Sequence, residues 1–305
     1  MTGRTTMATM TYEVTGRIAR ITLDRPERGN AITFDMPREL GACVERANLD
    51  PAVHVILLSG RGKGFCGGYD LASAESNMDA MGGNAPAGSP LDPAVVAANH
   101  RPDAVWDPML DYAMMSRNAR GFMSLFHGDK PVVCKVHGFC VAGGTDMALC
   151  SDLLIIEDEA KIGYPPARVW GVPTTALWVY RVGLEKAKRL LFTGDSLSGR
   201  EAVEWGLAIE CAPRDRLDER CEILLERIAR VPVNQLVMMK LMLNGTVMAQ
   251  GLHGAQVMGT VFDGVARHTE EAHRFAARAT EVGFKRAVEE RDQPFGDAGP
   301  STYKG

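Results

Sequence analysis

Two glycine-bearing turns hold the residues whose types and spacing could do chemistry. Gly64-Phe65-Cys66-Gly67-Gly68-Tyr69-Asp70-Leu71 follows a predicted strand over 53–58, and Val141-Ala142-Gly143-Gly144-Thr145-Asp146 follows another over 131–136. Glycine lets a backbone bend sharply and come close to a ligand. Two such turns can aim two N–H donors at one oxygen, which stabilises an oxyanion or enolate without any particular side chain. Asp146 adds a carboxylate in the first turn of a predicted helix, either a proton carrier or an acid favoured there by the helix dipole. Asp70 reads first as a turn residue. Cys66 reads as a small apolar filler rather than a thiol nucleophile.

The elements that must position these turns form an α/β pattern. Residues 12–24 alternate as a hairpin with Thr15-Gly16 at the turn. Thr33 is placed to cap a helix whose apolar face is Leu40, Cys43, Val44 and Ala47, ended by Asp50-Pro51. Residues 53–58, 131–136 and 153–157 are short apolar runs suited to strands buried on both faces. Between the last two, Gly143-Gly144 opens a short helix to about Cys150. Helices are expected over 184–192 and 198–205, with Thr193-Gly194-Asp195 as the turn between them. The stretch 73–129 is loose: Gly82-Gly83, Pro86, Gly88, Pro90 and Pro93 predict a surface loop, with helix returning over 106–126. It is either a lid or a floppy insertion. From residue 215 the chain is helical, over 215–230, 232–250, 254–270 and 273–291. A cluster of Met238, Met239, Met242, Met248 and Met258 there suits core or a subunit interface. The division is therefore a tail over 1–10, a core over 11–214 and a helical region over 215–305.

Composition excludes several classes. The net charge of −4 gives no basic field for nucleic acid. No apolar run approaches the ~20 residues that span a bilayer, and residues 1–10 lack a secretory signal's apolar stretch. The seven cysteines contain no Cys-x-x-Cys, which predicts reduced thiols and a cytoplasmic protein. The seven histidines show no metal-ligand spacing. Gly62-x-Gly64-x-x-Gly67 matches the dinucleotide-binding spacing, but Gly/Pro-rich sequence follows where a helix and strand are needed.

Taken together, these segments resemble the enoyl-CoA hydratase/isomerase (crotonase) family over roughly residues 11–71 and 130–296. Arg25-Pro26-Glu27-Arg28-Gly29-Asn30-Ala31 is similar to the family's R-P-x-x-x-N-A, and Phe65 through Leu71 to F-x-A-G-x-D-L. Lys130-Pro131-Val132-Val133 with Gly138 and Gly143-Gly144 resembles K-P-V-I-A-x-V-x-G-x-x-x-G-G-G. Thr193-Gly194, Glu201-Ala202 and Gly206-Leu207 follow, and residues 281–295 look like the closing E-G…F-x-E-K-R-x-P-x-F. The resemblance implies a ClpP-like spiral of ββα units and a C-terminal helical region that builds a homotrimer or a dimer of trimers. It implies an acyl-CoA thioester as substrate, with coenzyme A part of that substrate and no separate cofactor. By position, the oxyanion donors would be the backbone N–H groups of Tyr69 and Gly143. Arg28 and Ala31 fall at CoA-contacting positions, joined by Gly67, Gly68 and Asp70 of the turn. Ala72 stands where typical members place a phosphate-side lysine, and Arg28 or Lys63 is left to supply that charge.

The chain departs from the family at its acids. Typical hydratases add water with two glutamates. Here the first position is Asp146, one methylene shorter, and Gly163-Tyr164-Pro165-Pro166 places Pro166 at the second. Tyr164 is a pocket wall or a proton donor. Arg168 pairs with a carboxylate at a subunit contact or binds one on the substrate. His100, Asp103, Asp107, Asp111 and Tyr112, in the insertion, are either solvated or one of them replaces the lost glutamate. A hydrolase, a C–C lyase or a catalytically reduced acyl-CoA-binding subunit remains open beside the hydratase/isomerase.

Overall fold

The computed structural model describes residues 4–70 and 85–296. The hairpin forms as its alternation requires: β2 (Met10–Thr15) pairs antiparallel with β3 (Ile18–Leu23) across Gly16. A short β1 (Thr5–Thr6) adds to the edge of β2. Residues 5–10 are therefore not the frayed tail the sequence suggested. The carboxylate of Glu39 ties them down, accepting the N–H groups of Ala8 (3.1 Å) and Thr9 (2.9 Å) and the Thr9 hydroxyl (2.6 Å).

β3 then pairs in parallel with β4 (Val55–Gly60), β4 with β5 (Val132–Val136), β5 with β7 (Leu153–Glu157) and β7 with β10 (Glu210–Ala212). A second sheet joins β6 (Phe139–Val141), β8 (Lys161–Gly163) and β9 (Ser196–Leu197), and a bridge from Cys66 to Cys140 extends it. From β5 to β8 each turn of chain thus lays one strand in the large sheet and one in the small sheet. After β5 and β6 a helix, Gly143–Leu149, closes the turn. This is a spiral of ββα units. Strands covered on both faces need no polar side, which is why the runs read as unbroken apolar stretches.

The first long helix, α1 (Asp35–Leu49), buries Leu40, Cys43, Val44 and Ala47 as the spacing predicts. Its cap differs from expectation: Phe34 is the N-cap, and the Thr33 hydroxyl has no hydrogen-bond partner among the described residues. In the insertion the loop prediction fails at Pro93, which opens α2 (Pro93–Asn99) behind the capping carboxylate of Asp92. Proline suits that first position because its missing N–H would have no intrahelical acceptor. The next helix, α3 (Pro108–His127), matches the predicted 106–126. Gly82-Gly83 and Ala72 lie outside the described residues.

After α4 (Gly143–Leu149), α5 (Trp178–Val182), α6 (Leu184–Thr193) and α7 (Gly199–Glu204), the chain is helical to its described end. α8 (Leu217–Ala229) covers the outer face of the large sheet through Leu217, Cys221 and Leu225. α9 (Val233–Ala249) and α10 (Leu252–Arg267) follow. The predicted last helix is in fact two, α11 (Glu270–Val282) and α12 (Phe284–Asp292), because Gly283 at φ +85° ends one and starts the other. Met238, Met239, Met242 and Met258 are exposed, so within one chain they are not core.

Candidate active site

A cavity of about 710 Å³ opens where the spiral, the insertion and the last helices meet. Gly67, Tyr69, Val141 and Gly143 of the two turns form one wall. Val96, His100, Met114 and Met115 of the insertion form another, and Asp263, Arg267, Phe275 and Phe284 close the third. The lining is mainly aliphatic and aromatic, as suits an acyl chain or ring.

Local backbone geometry brings the turns together. Ile32 N–H donates to Gly68 O (2.8 Å) and Asp70 N–H to Ile32 O (3.0 Å). In such a parallel bridge the intervening residue, Tyr69, directs its own N–H away from the strand partner. Gly68 has φ +95°, and a Cβ there would stand 2.8 Å from the Ala142 methyl carbon and 3.7 Å from the Gly143 nitrogen. The turns therefore touch at Gly68. Gly143 is the first residue of α4, so its N–H lacks an intrahelical acceptor. The residue before it, Ala142, sits at φ +55°, ψ −130°. Strained non-glycine geometry of this kind costs ~1–3 kcal/mol and concentrates at working sites. No local residue pattern signals it.

The other expected residues divide. Asp146 lies beneath the wall, 1% exposed and outside the cavity lining. Its Oδ1 accepts the N–H (3.3 Å) and hydroxyl (2.8 Å) of Thr175, while Oδ2 has no hydrogen-bond partner among the described residues. Burial raises its pKa to about 7 against the lowering effect of Thr175, with Asp263 adding to the rise. Pro166 lines the cavity and Tyr164 forms wall beside it. Arg28 is exposed and Ala31 half-buried, both outside the cavity lining. Asp70 is buried against the Arg25 guanidinium (2.8 Å), a structural pairing that leaves it off the cavity wall. Arg168 pairs with carboxylates, as the sequence suggested: its guanidinium holds Asp195 (3.2 Å) and Asp292 (3.0 Å) of its own chain. Burial pushes the Cys66 thiol up to about 12, which makes it a poor nucleophile. After Gly67 the chain bridges Ile32 at Tyr69 instead of opening a helix, so the dinucleotide-type spacing has no matching structure.

Sequence spacing missed one polar cluster. His100, Asp111 and His268 place ligand atoms within 4.8 Å of one another. The Asp111 carboxylate already receives Trp106 Nε1 (2.6 Å), His268 Nε2 (3.0 Å) and the Arg267 guanidinium (3.2 Å). Although burial raises it, its pKa falls to about 2, through His100 first and then Arg267 and Trp106. A guanidinium that close opposes a cation, so the cluster acts as a clasp between α2, α3 and α10. Asp103 and Asp107 stay on the insertion's own surface, Asp107 capping α3. The sequence also missed Asp263, because one acid among helical residues carries no local signal.

Comparison with known proteins agrees with this architecture. The family model for enoyl-CoA hydratase/isomerase matches residues 13–87 and 109–298. A crystal structure of an enoyl-CoA hydratase from Mycobacterium smegmatis superposes with a TM-score of 0.92 at 56% identity, covering 98% of each chain. The protein named "Putative enoyl-CoA hydratase EchA13" of Mycobacterium tuberculosis is 31% identical over 79% of this chain and 74% of its own. The 1,2-epoxyphenylacetyl-CoA isomerase of Escherichia coli is 28% identical over 74% and 78% respectively.

Proposed function

The chain belongs to the enoyl-CoA hydratase/isomerase family, and from that premise we propose that it converts an acyl-CoA thioester through an enolate held by the N–H groups of Tyr69 and Gly143. The family membership makes it an enzyme of the hydratase/isomerase type with a mixed α/β crotonase fold and a C-terminal helical region. The observation that carries the finer reading is the meeting of the two turns on the wall of one apolar cavity. As negative charge builds on the thioester oxygen, two fixed donors gain strength there that they do not have toward the neutral carbonyl. Asp146 is the proton carrier in this reading. A group near pH 7 can both give and accept a proton at neutrality.

Hydration of crotonyl-CoA and trans-2-decenoyl-CoA, alongside binding of both, tests it. Turnover of at least one is expected, and the apolar lining favours the longer chain. Micromolar binding with no product from any thioester would leave an acyl-CoA-binding subunit. The 1,2-epoxyphenylacetyl-CoA isomerase relative makes ring-bearing thioesters a second series.

The exposed apolar side chains of α9 and α10, including Met242, Leu243, Met258 and Phe262, are covered in this reading by further copies of the chain. Isolated patches of this size rarely face water. Light scattering is expected to give three or six times the 33.1 kDa chain mass. A monomer at micromolar concentration would refute the assembly.

A further inference from the structure

We propose that Asp263, contributed by the C-terminal helix α10, is the second proton-carrying carboxylate of this site and works opposite Asp146 in the role that Pro166 cannot fill. This rests on the acyl-CoA reading above and extends it. Asp263 is 6% exposed yet borders the cavity that Tyr69, Gly143, Tyr164 and Pro166 also line. One oxygen accepts the Val172 N–H (3.3 Å), and the other lies 3.4 Å from the Arg267 guanidinium. The carboxylate is thereby fixed in place at the cavity wall.

Its surroundings suit proton transfer. The charged and titratable groups around it are Arg267 on its own helix, His100 on the segment after α2, Asp111 on α3 and Asp146 on α4. Tyr69 and Tyr164 feel both carboxylates. Burial raises Asp263 above the ordinary carboxylate range, with Asp111 adding to the rise, and the charge of Asp263 adds to the rise at Asp146. An ionised Asp263 therefore favours the proton on Asp146, so one is a base while the other is an acid. For hydration the step balances. Ionised Asp263 takes a proton from water as the water oxygen bonds to the β-carbon. The C=C electron pair moves into the enolate, and protonated Asp146 delivers its proton to the α-carbon. Proton return from Asp263 to Asp146 restores the starting state.

The test is Asp263→Asn and Asp263→Glu on the full chain, with crotonyl-CoA and trans-2-decenoyl-CoA. The asparagine variant is expected to lose at least ~100-fold in kcat, in the range of a lost general acid or base, with KM within threefold. It should also lose one limb of the kcat–pH profile. The glutamate variant should recover at least a tenth of the rate with that limb displaced. An asparagine variant that keeps wild-type kcat within threefold overturns the proposal and leaves the acyl-CoA reading standing. If the asparagine variant does not fold, the glutamate variant decides: an unmoved pH profile assigns Asp263 to structure. If wild-type protein binds these thioesters and converts none, the acyl-CoA enzyme reading fails first and this one with it.

Discussion

Gly143→Pro is expected to take turnover to background, and Gly143→Ala to lower it by ~100-fold or more. The two substitutions separate two effects. Both introduce a Cβ, which would stand 2.7 Å from Tyr69 Cε2 and 2.9 Å from Ile32 Cδ1. The Tyr69 ring must then move, and with it the turn that carries the other donor. Only proline also deletes the N–H, and loss of one such donor typically costs a further ~10²–10³ in rate. The neighbours that must give way are side chains, not backbone, so both variants should fold, with melting temperatures lowered by a few degrees. Steady-state kinetics with a thioester that the wild type converts, read beside thermal melting and particle mass, checks this. A proline variant that keeps more than a tenth of wild-type turnover removes the Gly143 amide from the chemistry.

Asp146→Asn is expected to lower kcat by at least ~100-fold while making the protein more stable at alkaline pH. The sign follows from burial. The folded-state pKa is about 7 against the ordinary 3.8. Between about pH 4 and 7 the folded chain therefore holds a proton that the unfolded chain releases, so stability declines as pH rises through that window. Above it, ionising the buried carboxylate costs on the order of 4 kcal/mol. Asparagine keeps Oδ1 for both Thr175 donors and carries no charge, at the cost of a buried NH2 group, ~1–3 kcal/mol. The net gain should raise the melting temperature by a few degrees at pH 8 and by less at pH 5. A gain in stability with turnover unchanged would assign Asp146 to the buried end of α4 rather than to catalysis. Loss of both would show that the carboxylate is ionised and held by partners, contrary to its surroundings here.

The pairing of these results with the Asp263 variants bears on how the site was assembled. Pro166 sits in the cavity wall where a glutamate is expected from the family pattern, and proline carries no titratable group. The insertion and the C-terminal helices supply the polar groups that face the same space: His100, Asn118, Asp263 and Arg267. The clasp on Asp111 ties these two elements to each other, so the wall they share has a fixed shape.

The linear sequence by itself determined the strands, most of the helices and the two turns. Those features depend on short-range causes: apolar runs for strands buried on both faces, glycines where the backbone reverses, and the Ser198–Glu201 capping box at α7. It also carried the family, because several short motifs in a fixed order are a property of the chain and need no coordinates. Only the tertiary structure decided which side chains share a space. Asp263 stands 117 positions beyond Asp146 in the numbering, and nothing in the residues around it distinguishes it from a solvated helix acid. Asp70 read first as a turn residue and Arg168 as the partner of a carboxylate, but only the fold decided that these partners are Arg25 for the one and Asp195 and Asp292 for the other. Ala142 takes a positive φ of +55°, which few non-glycine residues adopt, at the point where one turn touches the other. Pairing, desolvation and strain are all set by groups distant along the chain, and each came into being only when the insertion and the last helices closed over the spiral.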